Sequence, residues 1–326
     1  MRLLTSSLAL LPLIFSGSAR AQKDETPVFS SNTRLVVLHA SVIDSKGHLL
    51  TDLKKEAFRV TENGVEQVIK TFRREDVPVT LGLVIDNSGS MKDKRQRVEA
   101  AAINLVKSSN RDDEVFIVNF NDEGYLDVPI TNDLKKMEEG VARIDSRGGT
   151  ALRDAIAMSI DYMKDKARKD KKVLLIVTDG DDTASTMAIE KCAQKVAQSE
   201  VLVFAIGLLN QESARDAKRA KRSLDAITHA SGGAAYYPKD LTEVEKIAQQ
   251  VAHEIRNQFT IAYSPTSPED GGYRTVKVTA KGPASPQVRT RSGYYATPQA
   301  AGRKKPAVSL NAPPAASSPG TALVKE

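Results

Sequence analysis

The chain has 326 residues, 40% of them hydrophobic, with a formal net charge of +6 and a single cysteine, Cys192. This hydrophobic content suits one medium globular domain plus something smaller, and one cysteine excludes an intramolecular disulfide framework. The positive charge first suggests nucleic acid or an anionic surface. However, the basic clusters at 164–172 and 215–222 are interleaved with Asp and Ala beside apolar-faced helices, the pattern of solvated faces, so no nucleic-acid partner is assigned.

In chain order, Met1-Arg2, an apolar stretch over 3–15 and Ala19-Arg20-Ala21 read as a secretory signal peptide over 1–21. The stretch is broken by Pro12 and is well short of the roughly 20 residues that span a bilayer, so no transmembrane anchor is expected in the mature chain. The expected location is secreted or periplasmic, with mature protein beginning near Gln22. In residues 22–76, Val36, Leu38, Ala40 and Val42 alternate, and a strand over 58–61 turns through Glu62-Asn63-Gly64 into another over 65–72. Asn-Gly between such runs is a hairpin signal.

Residues 77–256 alternate strand and helix. The apolar runs 81–85, 115–120, 173–177 and 201–206 lack in/out alternation, as parallel strands covered on both faces do. Val98, Ala101, Ala102, Leu105 and Val106 form one helical stripe; Leu152, Ile156, Ile160 and Met163 a second; Val244, Ile247, Val251 and Ile255 a third. Ile189, Cys192, Ala193, Val196 and Ala197 share a helix face, which makes Cys192 a small buried apolar residue; a reactive or dimer-forming thiol is the alternative. Residues 125–130 follow Phe120 too closely for a crossover and should pair antiparallel at the sheet edge.

In residues 257–296, Phe259, Ile261 and Tyr263 alternate, a Pro/Gly-rich loop covers 264–272, Val276, Val278 and Ala280 alternate again, and a further strand covers 287–295. None of the flanking pieces is long enough for a stable sheet alone. The economical arrangement is one small β-sandwich built from both flanks, with the central α/β domain inserted between its halves; separate N- and C-terminal β-units are the alternative. Residues 297–326 form a Pro/Ala-rich tail too poor in apolar residues to order itself, either a spacer or a tail without a partner.

Three loops carry the chemistry. Asp86-Asn87-Ser88-Gly89-Ser90 follows one buried strand, Thr178-Asp179-Gly180-Asp181-Asp182 follows another, and Arg147-Gly148-Gly149-Thr150 precedes a helix. Loops at the carboxyl ends of neighbouring strands of an open sheet converge on one crevice. Hydroxyls and carboxylates gathered there suit a small hard cation such as Mg²⁺, and zinc, which prefers imidazole and thiolate, is not expected. Taken alone, the first pentapeptide could equally be a strand-to-helix turn.

These motifs resemble the von Willebrand factor type A domain with a complete metal-ion-dependent adhesion site, over roughly 79–256, and the flanks are similar to a bacterial group of secreted proteins named for this domain. The resemblance implies a doubly wound, mostly parallel sheet. It also implies Mg²⁺, with Mn²⁺ or Ca²⁺ as alternatives, held directly by Ser88, Ser90 and Thr150 and by Asp86 and Asp179 directly or through water. It further implies a protein partner that presents an Asp or Glu carboxylate to the ion.

Enzyme signatures are missing from the same segments. Position 88 carries Ser where a phosphoryl-transferring Asp-x-Asp needs a carboxylate, and neither a Gly-x-Ser-x-Gly elbow nor a Ser-x-x-Lys surrounds Ser88 or Ser90. The histidines His39, His48, His229 and His253 are scattered. The expectation is a non-enzymatic, metal-dependent binding module. The rivals are a metal-dependent hydrolase at the same site and a structural envelope protein whose ion only stabilises the loops.

Overall fold

The alternation of Val36, Leu38, Ala40 and Val42 produces β1 (Val36–Ile43) with one buried face. The structure, a computed structural model, describes residues 35–74, 76–107, 110–141, 146–282 and 285–296. The signal-peptide reading of 1–21 and the tail reading of 297–326 lie outside them. After β1 come β2 (Phe58–Glu62), β3 (Val65–Gln67) and β4 (Ile69–Arg73). Asn63 and Gly64 make the predicted hairpin turn, with φ of 48° and 83°.

The central segment then runs β5 (Val79–Asp86), α1 (Arg95–Lys107), β6 (Glu114–Phe120), β7 (Gly124–Thr131), α2 (Leu134–Val141), α3 (Leu152–Lys166), β8 (Lys171–Thr178), α4 (Ile189–Gln198), β9 (Val201–Gly207), α5 (Ala214–Ser231), β10 (Ala235–Tyr236) and α6 (Glu243–Arg256). The last strands are β11 (Phe259–Tyr263), β12 (Tyr273–Ala280), β13 (Gln287–Arg289) and β14 (Gly293–Tyr295). No helix among the described residues is long and apolar enough to cross a membrane.

Among these residues the central strands form one sheet in the order β10-β9-β8-β5-β6-β7, parallel except for β7, which pairs antiparallel at the edge as expected. Every residue of β5 is buried, because its two faces are covered by different helices. Leu81, Leu83 and Ile85 pack with α1, α2 and α6, while Val84 packs with α3, α4 and α5. The chain winds outward in opposite directions from β5 and β8, so the crevice between their carboxyl ends is the switch point where open α/β sheets place ligands. Asp86 ends one of these strands and Thr178 the other.

The flanks interleave. One antiparallel sheet has the order β13-β1-β11-β4 and the other β14-β12-β2-β3, so each contains strands from before and after the central segment. Their inner faces share one core, including Val36, Leu38, Phe58, Val60, Phe259, Ile261 and Val278. Ring centroids of Phe58 and Phe259 lie 5.0 Å apart, with Phe72 at 5.1 Å from the former. Tyr263 and Tyr294 donate to the buried Glu62 carboxylate at 2.7 and 2.9 Å. The flanks therefore form one sandwich rather than separate N- and C-terminal units.

Two strand expectations need correction. The single strand expected over 65–72 is two, because the chain leaves β2 and joins β11 in the facing sheet, which leaves Val68 exposed between buried Gln67 and Ile69. Likewise 287–295 divides into β13 beside β1 and β14 beside β12. Alternation continues through such a crossing, so the pattern does not reveal which sheet each half joins. Among the basic clusters, Lys171 also departs from the solvated-face reading: it is buried, and its ammonium donates to the Ile255 carbonyl.

The sandwich is fastened to the central segment through α6. Glu254 accepts from Ser41 Oγ at 2.6 Å, Tyr236 Oη at 2.5 Å and Arg289 Nη2 at 2.6 Å, joining α6 to β1, β10 and β13. Two residues on, Arg256 pairs with Asp113 and Asp76.

Candidate functional site

Three loops meet at the carboxyl ends of β5 and β8. The Asp86 carboxylate is buried and held at both oxygens: the Ser88 amide donates to Oδ1 at 2.8 Å and the Thr178 hydroxyl to Oδ2 at 2.5 Å. Burial pushes this carboxyl up to about 6, against those two hydrogen bonds, which favour its charged form. A short 3₁₀ turn over Gly89–Met91 directs the chain into α1 and folds Ser90 back toward Ser88. The Ser88 and Ser90 hydroxyls are 3.1 Å apart, and Ser90 Oγ donates to Asp179 Oδ1 at 2.8 Å. Asp86, Ser88, Ser90 and Asp179 are thus drawn to one place, as their positions in the sequence suggested.

Thr150 stands in the adjoining loop and is held there by its backbone. Its amide donates to Thr183 Oγ1 at 3.1 Å, and its carbonyl accepts from the Thr183 and Ala184 amides at 2.9 and 3.1 Å. The loop before it is joined to the first by Gly89 N–H to Gly148 O at 3.2 Å and Arg147 N–H to Asn87 O at 3.0 Å. The Gly-Gly pair answers a local demand. Gly148 has φ of 75°, and a Cβ there would meet Asp122 Oδ2 at 2.2 Å, while the Gly149 amide donates to Asp122 Oδ1 at 2.8 Å.

The third loop is clamped onto the start of α3. Asp182 accepts from the Arg153 amide at 2.8 Å and pairs with the Arg153 guanidinium at 3.0 Å, and Asp154 accepts from the Thr186 and Met187 amides. Carboxylates at a helix N-terminus satisfy amides that have no partner within the helix.

The residues present fit a hard divalent ion. Ser88 Oγ, Ser90 Oγ and Asp179 Oδ1 follow one another at 3.1 and 2.8 Å. Neighbouring ligands of an octahedral ion with bonds of about 2.1 Å lie about 3.0 Å apart. Neutral hydroxyls with one or two carboxylate oxygens are the donors such ions take.

Sequence reasoning missed Lys94. It is 1% exposed, and its ammonium donates to Asp179 Oδ2 at 2.5 Å. Its charged neighbours Lys92, Asp93 and Arg95 gave no signal of burial. Thr178, Asp122 and Asp182 were likewise not assigned their positioning roles. Cys192 is buried on the inner face of α4, and burial pushes its thiol up to about 12, which bears out the apolar reading over the reactive one.

An open, doubly wound α/β sheet with an oxygen-lined crevice at its switch point defines the class. Residues 81–250 match the family model of the von Willebrand factor type A domain, and the chain belongs to that family. A solved von Willebrand factor type A structure from Catenulispora acidiphila is similar in fold, with a TM-score of 0.51 and 14% identity, covering 82% of this chain and 76% of that one. In sequence the chain resembles calcium-activated chloride channel regulator 1 of Mus musculus, 25% identical over 169 residues, 48% of this chain and 17% of that protein. It also resembles inter-alpha-trypsin inhibitor heavy chain H4 of Sus scrofa, 24% identical over 144 residues, 40% of this chain and 16% of that protein. The chain thus spans less than a fifth of the length of either curated relative.

Proposed function

We propose that the protein is an exported, divalent-cation-dependent binding module that captures an acidic side chain of a protein partner. Domains of this family are interaction modules, which sets the class of function; the ion and the acidic group are the finer steps. The observation that carries them is the run of oxygens from Ser88 through Ser90 to Asp179, at spacings an octahedral ion requires. Ser88, Ser90 and Thr150 would hold Mg²⁺ or Mn²⁺ with neutral oxygens, and Asp86 and Asp179 would supply the negative charge directly or through water. When bound, such an ion offers an exchangeable position to an incoming carboxylate.

The chain's own part is orientation. Thr178 and the Ser88 amide fix Asp86, Asp122 fixes the Gly-Gly turn, and Asp182 fixes the third loop. Residues 87–92, 121–125, 146–150 and 181–186 would set specificity, because loops on a rigid sheet vary at least cost to the fold. Export rests on the basic start, apolar stretch and Ala-Arg-Ala pattern of residues 1–21.

Calorimetric titration of Mg²⁺ and Mn²⁺ into wild type, Asp86→Ala and the surface control Asp161→Ala tests the ion. Crosslinking and pull-down from the native envelope, with and without chelator, tests the partner. Equal ion affinity in wild type and Asp86→Ala would remove this reading.

A further inference from the structure

Lys94 is not explained by the oxygen-ligand motif. It precedes α1, is among the largest fully buried side chains, and carries a charge into the crevice. Its ammonium meets Asp179 Oδ2 at 2.5 Å while Ser90 Oγ donates to Oδ1 of the same carboxylate. Asp179 is itself fully buried. A buried carboxylate without a counter-charge is strongly destabilising, so this ammonium supplies a neutralisation that would otherwise depend on an ion from solution.

From this geometry we infer that Lys94 is a resident counter-cation of the crevice: it holds the loops in place without a divalent ion, and it sets the affinity for that ion low. The second half rests on the ion-binding reading above. With Lys94 in place, the two carboxylates Asp86 and Asp179 present a net charge of about −1 to an arriving ion rather than about −2, and the ammonium repels the ion at short range. A captured ion keeps more of its positive charge unneutralised by the protein. That charge is then available to a carboxylate from outside, so low ion affinity and strong pull on an acidic partner have one cause.

The test is Mn²⁺ titration by calorimetry and thermal unfolding with and without Mn²⁺, on wild type, Lys94→Met and each combined with Asp86→Ala. Lys94→Met should bind Mn²⁺ about tenfold tighter or more, unfold at a lower temperature than wild type without the ion, and gain more from saturating Mn²⁺. Equal affinities in wild type and Lys94→Met, both lost with Asp86→Ala, would overturn the inference and leave the ion-binding reading intact. Binding by Lys94→Met alone would support the inference and remove the ion from the native chain's function. Binding by neither would overturn both. Should Lys94→Met not fold without the ion, Lys94→Met/Asp179→Asn decides the matter: recovery of folding in the double variant is the counter-charge result, and failure of both variants overturns it.

Discussion

The Thr178 hydroxyl donates to Asp86 Oδ2 at 2.5 Å, joining the last residue of β8 to the last residue of β5. Adjacent strand ends are thereby locked by a side-chain bond just below the crevice. Thr178→Val keeps the shape and removes the donor, leaving a buried carboxylate oxygen without its partner. Stability should fall by about 1–3 kcal/mol in chemical denaturation, and Thr178→Ser should restore most of it.

Two glycines of the crevice should differ in their response, one sensitive to an added methyl and one indifferent to it. Gly148→Ala places a Cβ on a residue with φ of 75° and drives it against Asp122, so a loss of about 2 kcal/mol or more is expected, with weaker Mn²⁺ binding. Gly180→Ala adds a methyl where nothing lies within 4 Å and the backbone is unstrained, so both quantities should stay near wild type. Thermal unfolding and calorimetry of the pair give the comparison.

The clamp between Asp182 and Arg153 controls the loop that follows Asp179. Asp182→Ala removes the acceptor of the Arg153 amide and the partner of its partly covered guanidinium. A loss of about 2–3 kcal/mol is expected, and amide exchange should accelerate in residues 181–187 ahead of the sheet.

Acid sensitivity should have a component from His39. Burial, with Lys171, Arg291 and Lys172 nearby, pushes this imidazole down from 6.5 to about 3. The folded state therefore resists a proton that the unfolded state accepts, so the contribution is present above pH 6.5 and is lost as the pH falls toward 3. Asp86, pushed up from 3.8 to about 6, acts in the opposite sense, with stability falling as the pH rises through that interval. The difference between wild type and His39→Gln isolates the histidine. It should change by roughly 2 kcal/mol between pH 6.5 and 4, after discounting for the ring's partial exposure, and a flat difference would exclude His39 as the cause.

Strand β1 lies between β11 and β13, both made after the central segment. A fragment of residues 35–74 should therefore be unfolded or aggregate, because its strand edges lack partners. Adding residues 257–296 in trans should recover strand signal in circular dichroism. A soluble, folded N-terminal fragment would contradict the interleaved sandwich.

The central sheet was legible because parallel strands buried on both faces give unbroken apolar runs, and the stripes of α1, α3 and α6 show the helical period. Four of the five candidate ion ligands were drawn into one hydrogen-bonded run, because polar loops at adjacent strand ends have one crevice to face. What sequence could not reveal depends on tertiary placement. Lys94 sits in a charged stretch, Lys92-Asp93-Lys94-Arg95, that reads as solvated, and only the 3₁₀ turn carries it inward. The sheet crossings at Val68 and at 290–292 were hidden because alternation does not encode which partner a strand chooses.

The register of β1 against β13, with Ser41 opposite Arg289 and Ile43 opposite Gln287, has a mechanical meaning. Tension applied at residues 35 and 296 enters the sandwich at both points and can pass from β1 through this short ladder to β13, and then along the backbone to β14. The inserted α/β segment joins the sandwich by its chain connections at β4 and β11 and meets that line at Glu254 of α6, which bonds both Ser41 of β1 and Arg289 of β13. A pull on the flanks would thus reach the central sheet first at the end of α6, where Arg256 pairs with Asp113 and Lys171 donates to the Ile255 carbonyl. These contacts lie at the amino ends of β6 and β8 and so at the opposite end of the strands from the crevice.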